Sequence, residues 1–314
     1  MTPQIQYASN FALHAQERAE EYAGSARPAN RAALTRARQP HANVLGIEVE
    51  AIDMDRALDR IEHALAAREK GWVCMAGVHG IMEAQRDPAL RYAYADAAMT
   101  LPDGMPTVWV GRRQRFKKMQ RVAGPDLILE VFGRRRFAHY THFLYGGKPG
   151  VAEELANNFA QRFPWAHVVG TYTPPFRDLS TEEERALITR LGFLRPSIVW
   201  VGISTPRQEK FMRKYSPLLD TTLMFGVGAA FDYHTGRIKD SAQWVKRAGL
   251  QWLHRLVQDP GHLWWRYLRN NPAFMCKIAL QLSGLKSYSG AERGDPHELL
   301  RGSAATLYPE SNSG

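Results

Sequence analysis

Ile198-Val199-Trp200-Val201-Gly202-Ile203-Ser204-Thr205-Pro206-Arg207-Gln208-Glu209-Lys210 changes its periodicity halfway along. Residues 198–202 are an apolar run of strand length ending in glycine, and residues 207–215 carry a helical pattern. A buried strand passing through a short loop into a helix is half of a β-α-β unit. The same alternation recurs on both sides of it. Strands are expected at 44–49, 72–76, 143–145, 167–171 and 222–227, with helices at 54–65, 81–94, 151–163 and 182–191. The run Ala97-Ala98-Met99 leads into a further strand end. Parallel strands joined by crossover helices predict an α/β fold: a Rossmann-like, mostly parallel open sheet with helices on both faces.

After Phe231 the strands stop. Residues 237–286 read as a C-terminal helical appendage rich in Arg and Trp, following a core at 43–236. Residues 1–42 have no sustained apolar stripe and read as a flexible leader, and the Ser/Gly/Glu-rich 287–314 as a flexible tail. Since every expected strand precedes Gly236, the core is expected to fold without the appendage. Within the appendage, Val245, Ala248, Trp252 and Leu256 would share one helical face, and Arg247, Gln251 and Arg255 another. Pro260 ends that pattern before His262-Leu263-Trp264-Trp265-Arg266-Tyr267-Leu268-Arg269, whose Trp, Tyr and Arg suit either core packing or a lipid headgroup boundary.

A chain of 314 residues with 45% hydrophobic and 23% charged residues can bury a substantial core. Its formal charge of +10 favours an anionic partner: a nucleotide, a phospholipid surface or nucleic acid. The two cysteines, Cys74 and Cys276, are far apart and form neither a disulfide framework nor a zinc pattern. The first residues lack a secretory pattern, and no apolar run reaches the ~18 residues of a membrane span, so a cytoplasmic protein is expected.

Leu101-Pro102-Asp103-Gly104-Met105-Pro106 sets a carboxylate in a Pro/Gly-framed turn at a strand end, where open α/β sheets bind ligands. Gly104 lets the backbone turn tightly and a ligand approach closely; an ordinary Asp-Gly turn is the plain alternative. At 144–151 a strand passes through Gly146 and Gly147 into a helix N-terminus, which favours phosphate, although an ordinary strand-to-helix turn has the same residues. The spacing is neither GxGxxG nor a P-loop, which argues against a nicotinamide dehydrogenase. In the opening stretch, Ser204 or Thr205 can cap a helix opened by Pro206, with Glu209 reciprocating. Capping does not require Gln208, a side chain able to read an amide or hydroxyl.

Tyr172 ends another strand and could stack on a base, or simply begin the rigid turn at Pro174-Pro175. Asp126, near a helix start after Arg121, reads more readily as a cap than a catalyst. Residues 112–118 read as a solvated basic loop, able also to attract an anionic membrane or diphosphate. Asp53-Met54-Asp55 matches a metal-nucleotide DxD, but at a predicted helix start it reads as an N-terminal cap. His79, His234 and His254 show no metal-ligand clustering.

Taken in order, PDGMP (102–106), RVAGPDL (121–127), LYGGKPG (144–150), GISTPRQEKF (202–211), GVGAAFDYHTG (226–236), GLQWLHRL (249–256) and RYL (266–268) resemble the WecG/TagA/CpsF glycosyltransferases, glycosyltransferase family 26. The resemblance spans roughly residues 43–285. It implies inverting, metal-independent transfer from a UDP-sugar (ManNAc-, hexuronate- or hexose-type) to a polyprenyl-diphosphate-linked saccharide, for bacterial surface polysaccharides. No cofactor and no nucleic-acid partner are implied; the enzyme would sit peripherally on the inner face of the cell membrane, and a homo-oligomer is compatible with it.

By the same resemblance Asp103 is the catalytic base and Arg121 a substrate- or phosphate-positioning group. Gln208 lies in the nucleotide-sugar pocket, and the appendage closes over the site with its arginines. Gly104, His79, Tyr172, Gly146 and Gly147 complete the expected substrate-binding set. Many relatives carry Thr-x-Asn where this chain has Met75-Ala76-Gly77 followed by His79. Arg-Ala-Pro is replaced by Asp240-Ser241-Ala242, and Leu-Glu-Trp by Leu250-Gln251-Trp252. Arg237, Arg247, Arg255 and Arg266 are left as candidates for the diphosphate. Two other classes compete: another nucleotide-dependent Rossmann-like enzyme, such as a reductase, and a non-catalytic basic protein that binds nucleic acid.

Overall fold

The computed structural model describes residues 40–291. The chain enters through a hairpin of β1 (His41–Val44) and β2 (Ile47–Glu50), antiparallel about the two-residue turn Leu45-Gly46. The single strand expected at 44–49 is therefore two, because this turn is hidden inside an apolar run, and the expected 42/43 boundary falls within β1. Helix α1 (Met54–Ala66) begins where the Asp53 carboxylate accepts the Arg56 N–H at 3.0 Å, so the DxD is a cap.

Next come β3 (Gly71–Ala76), α2 (Val78–Ala84) and α3 (Pro88–Ala95). The helix expected at 81–94 is broken, since Asp87 caps a new one by accepting the Leu90 N–H at 3.2 Å and Pro88 opens it. Then follow β4 (Met99–Pro102), α4 (Met105–Arg113), α5 (Gly124–Gly133), β5 (Thr141–Gly146), α6 (Val151–Arg162), β6 (His167–Tyr172) and α7 (Thr181–Leu194). Arg112 and Arg113 thus belong to the last turn of α4 and favour its negative end, whereas a basic loop was expected there. The core closes with β7 (Ile198–Gly202), α8 (Arg207–Tyr215), β8 (Leu223–Gly226) and α9 (Ala230–His234).

β3 to β8 form one parallel sheet in the order β4-β3-β8-β7-β5-β6. It is the expected α/β, Rossmann-like arrangement. Alternate side chains point to opposite faces, and both faces are covered. Cys74, Val199, Val201 and Met224 pack with α2, α3, α8 and the hairpin on one face. Val73, Met75, Trp200 and Phe225 pack with α1, α5 and α6 on the other.

Helices α10 (Gln243–Arg247), α11 (Gln251–Gln258) and α12 (Pro260–Leu282) form the appendage. The one amphipathic helix expected across 245–256 is interrupted at Gly249, which has φ +70°. The far half of α12 is part of the core: Phe274 and Ile278 are 2% and 6% exposed and join the cluster beneath α2 and the hairpin. The Gln281 side chain accepts the Leu45 N–H at 2.9 Å and donates to the Asn43 carbonyl at 2.8 Å. The Asn43 side chain donates to the Tyr288 carbonyl at 2.8 Å. So the core is not complete at Gly236, and the described residues past 286 stay bound to the hairpin.

Candidate active site

The C-terminal ends of β3, β4, β7 and β8 open into a cavity of about 550 Å³, roofed by the appendage. Its place is where chain order turns back across an open sheet, and its size suits a small ligand. Asp103 follows β4 directly, and its N–H donates to the Ala76 carbonyl at 3.2 Å, joining the two strand ends. Gly104 has φ +107°, which turns the chain at once into α4 and leaves the Asp103 side chain at the cavity wall. The buried Thr107 hydroxyl secures this turn by donating to the same Ala76 carbonyl at 3.1 Å.

Burial pushes the Asp103 carboxyl above the usual aspartate range; the Arg121 guanidinium opposes this and the Asp126 carboxylate adds to it. The carboxyl therefore holds a proton more readily than a surface aspartate while remaining open to the cavity.

Arg121 is oriented from two sides. It donates to the Asp126 carboxylate at 2.5 Å and to the Gln251 side-chain oxygen on α11 at 3.1 Å. Asp126 is not the helix cap it was expected to be, since its carboxylate is engaged by cations. Buried Lys246 on α10 reaches it at 3.4 Å and Asp240 at 2.5 Å. A chain of charges thus ties appendage to core. Arg255 lies over the Tyr233 ring, 5.4 Å from its centre, and Arg266 enters the cavity from α12. The Nε atoms of Arg121 and Arg266 are buried with no partner among the described residues.

His79 also lines the cavity, and its Nδ1 is 3.2 Å from the Asn270 side-chain amide on α12. Burial lowers its pKa, as does Arg266, so the ring is neutral near pH 7. Gln208, although at the wall, is fully engaged. Its oxygen accepts the Gly228 N–H at 2.9 Å, and its nitrogen donates to Glu209 at 2.9 Å. Pro206 caps α8 rather than opening it, and the Thr205 hydroxyl donates to the Glu209 carboxyl at 2.8 Å in place of a capping bond.

Of the residues singled out from sequence, the cavity brings together Asp103, Gly104, Arg121, His79, Gln208, Arg255 and Arg266. Tyr172 lies elsewhere, stacked on Tyr145 with ring centres 5.5 Å apart. Gly146 and Gly147 also lie outside it: a Cβ on Gly146 would come 2.5 Å from the Gly202 carbonyl, so strand packing explains that glycine. Arg237 pairs with Glu154 at 2.7 Å and Arg247 is exposed, both outside the lining. Sequence reading missed Lys246, Tyr233, Asn270 and the Gly226–Ala229 segment as lining residues. Only the density of basic residues in the appendage hinted at Lys246.

Among the described residues no three His, Cys, Asp or Glu side chains converge as metal ligands, and no helix is long and apolar enough to cross a membrane. Asp55, of the DxD, pairs with Arg134 at 2.8 Å, away from the cavity.

Two similar proteins are N-acetylglucosaminyldiphosphoundecaprenol N-acetyl-beta-D-mannosaminyltransferases. That of Bacillus subtilis (strain 168) is 28% identical over 188 residues, 60% of this chain and 71% of that protein. That of Bacillus spizizenii (strain ATCC 23059 / NRRL B-14472 / W23) is 26% identical over 196 residues, 62% and 74% of the two chains. The Glycosyl transferase WecG/TagA/CpsF family pattern matches residues 42–288, nearly all of the described sheet, cavity and appendage; the chain belongs to this family and is a glycosyltransferase.

Proposed function

We propose that the enzyme moves a sugar, with inversion, from a UDP-sugar to a saccharide carried on a polyprenyl diphosphate, for surface polysaccharide assembly. The names of the two mannosaminyltransferases favour an N-acetylglucosaminyl-diphosphoundecaprenol acceptor and an N-acetylmannosamine donor. One observation carries this reading: a carboxyl raised by burial, Asp103, lies in a strand-end cavity also lined by Arg121, Arg255 and Arg266.

In the reaction the acceptor hydroxyl oxygen attacks the anomeric carbon while Asp103 takes its proton. The anomeric C–O bond breaks and its electron pair leaves on the UDP diphosphate. Arg121, Arg255 and Arg266 stabilise that charge in a site partly closed to water, without a metal. Exposed Trp264 and Trp265, with Arg269 beside them, suit the headgroup region of the inner leaflet, where the lipid-linked acceptor resides. A panel of UDP-sugars assayed with a lipid-diphosphate-N-acetylglucosamine acceptor in excess EDTA tests the reading. Transfer from at least one donor supports it; dependence on added magnesium or manganese, or stabilisation by NAD instead of UDP, contradicts it.

A further inference from the structure

Glu209 is a carboxyl that is 0% exposed. Its Oε1 receives the Thr205 hydroxyl at 2.8 Å and the Gln208 amide nitrogen at 2.9 Å. Its Oε2 is buried with no partner among the described residues, and so is the hydroxyl of nearby Tyr94. A half-satisfied buried carboxyl costs stability, and an apolar residue would pack there more favourably. Its presence therefore calls for a purpose beyond packing.

That purpose follows from the Gln208 carboxamide. The two ends of an amide are nearly the same shape but opposite in hydrogen bonding. An accepting carboxyl oxygen at one end forces the NH₂ to face it, so the oxygen faces the other way, to the Gly228 N–H at 2.9 Å. With the amide reversed, NH₂ would meet N–H, donor against donor, and the segment after β8 would be pushed off. Gly226, Val227, Gly228 and Ala229 all line the cavity, and the Gln208 nitrogen lies 3.0 Å from where a Cβ of Gly226 would stand.

We propose that Glu209 is a positioning residue for sugar transfer: it sets the direction of the Gln208 amide, which holds the Gly228 N–H and with it the 226–229 wall of the donor cavity. This rests on reading the cavity as the site of transfer. Burial also raises the Glu209 pKa, outweighing the Gln208 and Thr205 donors, which lower it.

The test exchanges the two groups in the full-length protein. In Gln208→Glu a carboxylate replaces the NH₂ beside Glu209, and the two carboxyls must share a proton to stay together. That variant should lose about 10- to 100-fold in kcat/KM at alkaline pH, the scale of a charged hydrogen bond. It should recover as the pH falls and the shared proton returns. Adding Glu209→Gln to Gln208→Glu restores one acceptor and one NH₂ in reversed order, and should return the rate to within a few-fold at all pH values. Hydrogen exchange at 226–229 gives a readout independent of substrate: fast in Gln208→Glu at alkaline pH, slow again in the swap. If the native enzyme transfers no sugar from any UDP-sugar, the functional reading fails while the exchange result still decides the wiring. A swap that leaves 226–229 unprotected, or that restores protection without activity, overturns the proposal; the second result would assign the Gln208 nitrogen to the ligand.

Discussion

The two halves of the appendage are tied to the rest of the molecule in different ways. α10 and α11 have one buried residue between them, Lys246, and the near half of α12 exposes Trp264 and Trp265 by 52% and 58%. The far half of α12 buries Phe274 and Ile278 in the same cluster as the sheet. The near half is held mainly by charge and hydrogen bonds around Arg121 and Asp126, with Leu263 as its buried apolar contact; the far half combines apolar burial with the Gln281 bonds to the hairpin. Polar tethers open more readily than apolar burial, so the near half is expected to open first, and hydrogen exchange should be faster there than in the far half.

The sharpest way to break this contrast is to cut the chain at Gly236. The expectation from sequence was a folded remainder; the burial of Phe274 and Ile278 reverses it. Circular dichroism and thermal melts should show a truncated protein that is unfolded or severely destabilised. A cooperative, native-like melt would return α12 to the status of an add-on. Phe274→Ala comes next, with a loss of about 3–5 kcal/mol from the lost transfer energy and the cavity left behind, read by urea unfolding.

Lys246→Met is a smaller blow to the near half. It deprives partly exposed Asp126 and Asp240 of a cation, and we expect about 1–3 kcal/mol of stability to go. Transfer should suffer more than stability, because Asp126 also orients Arg121. Proportional losses in both would show the tether to be merely structural. Smallest of all, Trp264→Ser with Trp265→Ser should change stability by less than about 0.5 kcal/mol, as exposed positions do. Binding to anionic vesicles should nevertheless weaken. Unchanged vesicle binding would argue against the proposed membrane contact at these residues.

How far the sequence reached follows the same division between local and distant causes. β7 and α8 lie at their expected residues, because an unbroken buried strand and a helical apolar pattern are local signals, even though Pro206 caps α8 instead of opening it. The hairpin at Leu45-Gly46 was hidden inside an apolar run, whereas the break at Asp87-Pro88 carried its own local signal, a capping Asp followed by Pro, within a longer helical pattern. At the site, Asp103 was readable because strand end and turn are adjacent in sequence. The link from Arg121 to Gln251 spans 130 positions, and that from His79 to Asn270 spans 191; tertiary packing alone brings these together. Gly146 and Gly147 looked like a phosphate loop because tight backbone packing and anion binding demand the same residue.

Asp103→Asn tests the central claim most directly, because a base and a turn-former predict opposite results. A buried carboxyl whose pKa is raised in the folded state stabilises the protein below its unfolded pKa of about 3.9, and that contribution is lost as pH rises through the folded value. Asparagine keeps the shape without the charge, so at pH 7 the variant should melt at the same temperature as the native enzyme or higher. Transfer should fall by about 10²–10⁴-fold, with UDP affinity little changed. In the native enzyme the acid limb of kcat/KM should lie above the ordinary aspartate range, since the base works only when deprotonated. Near-native turnover in Asp103→Asn, together with a lowered melting temperature, would contradict the account and leave Asp103 as a residue that only shapes the turn.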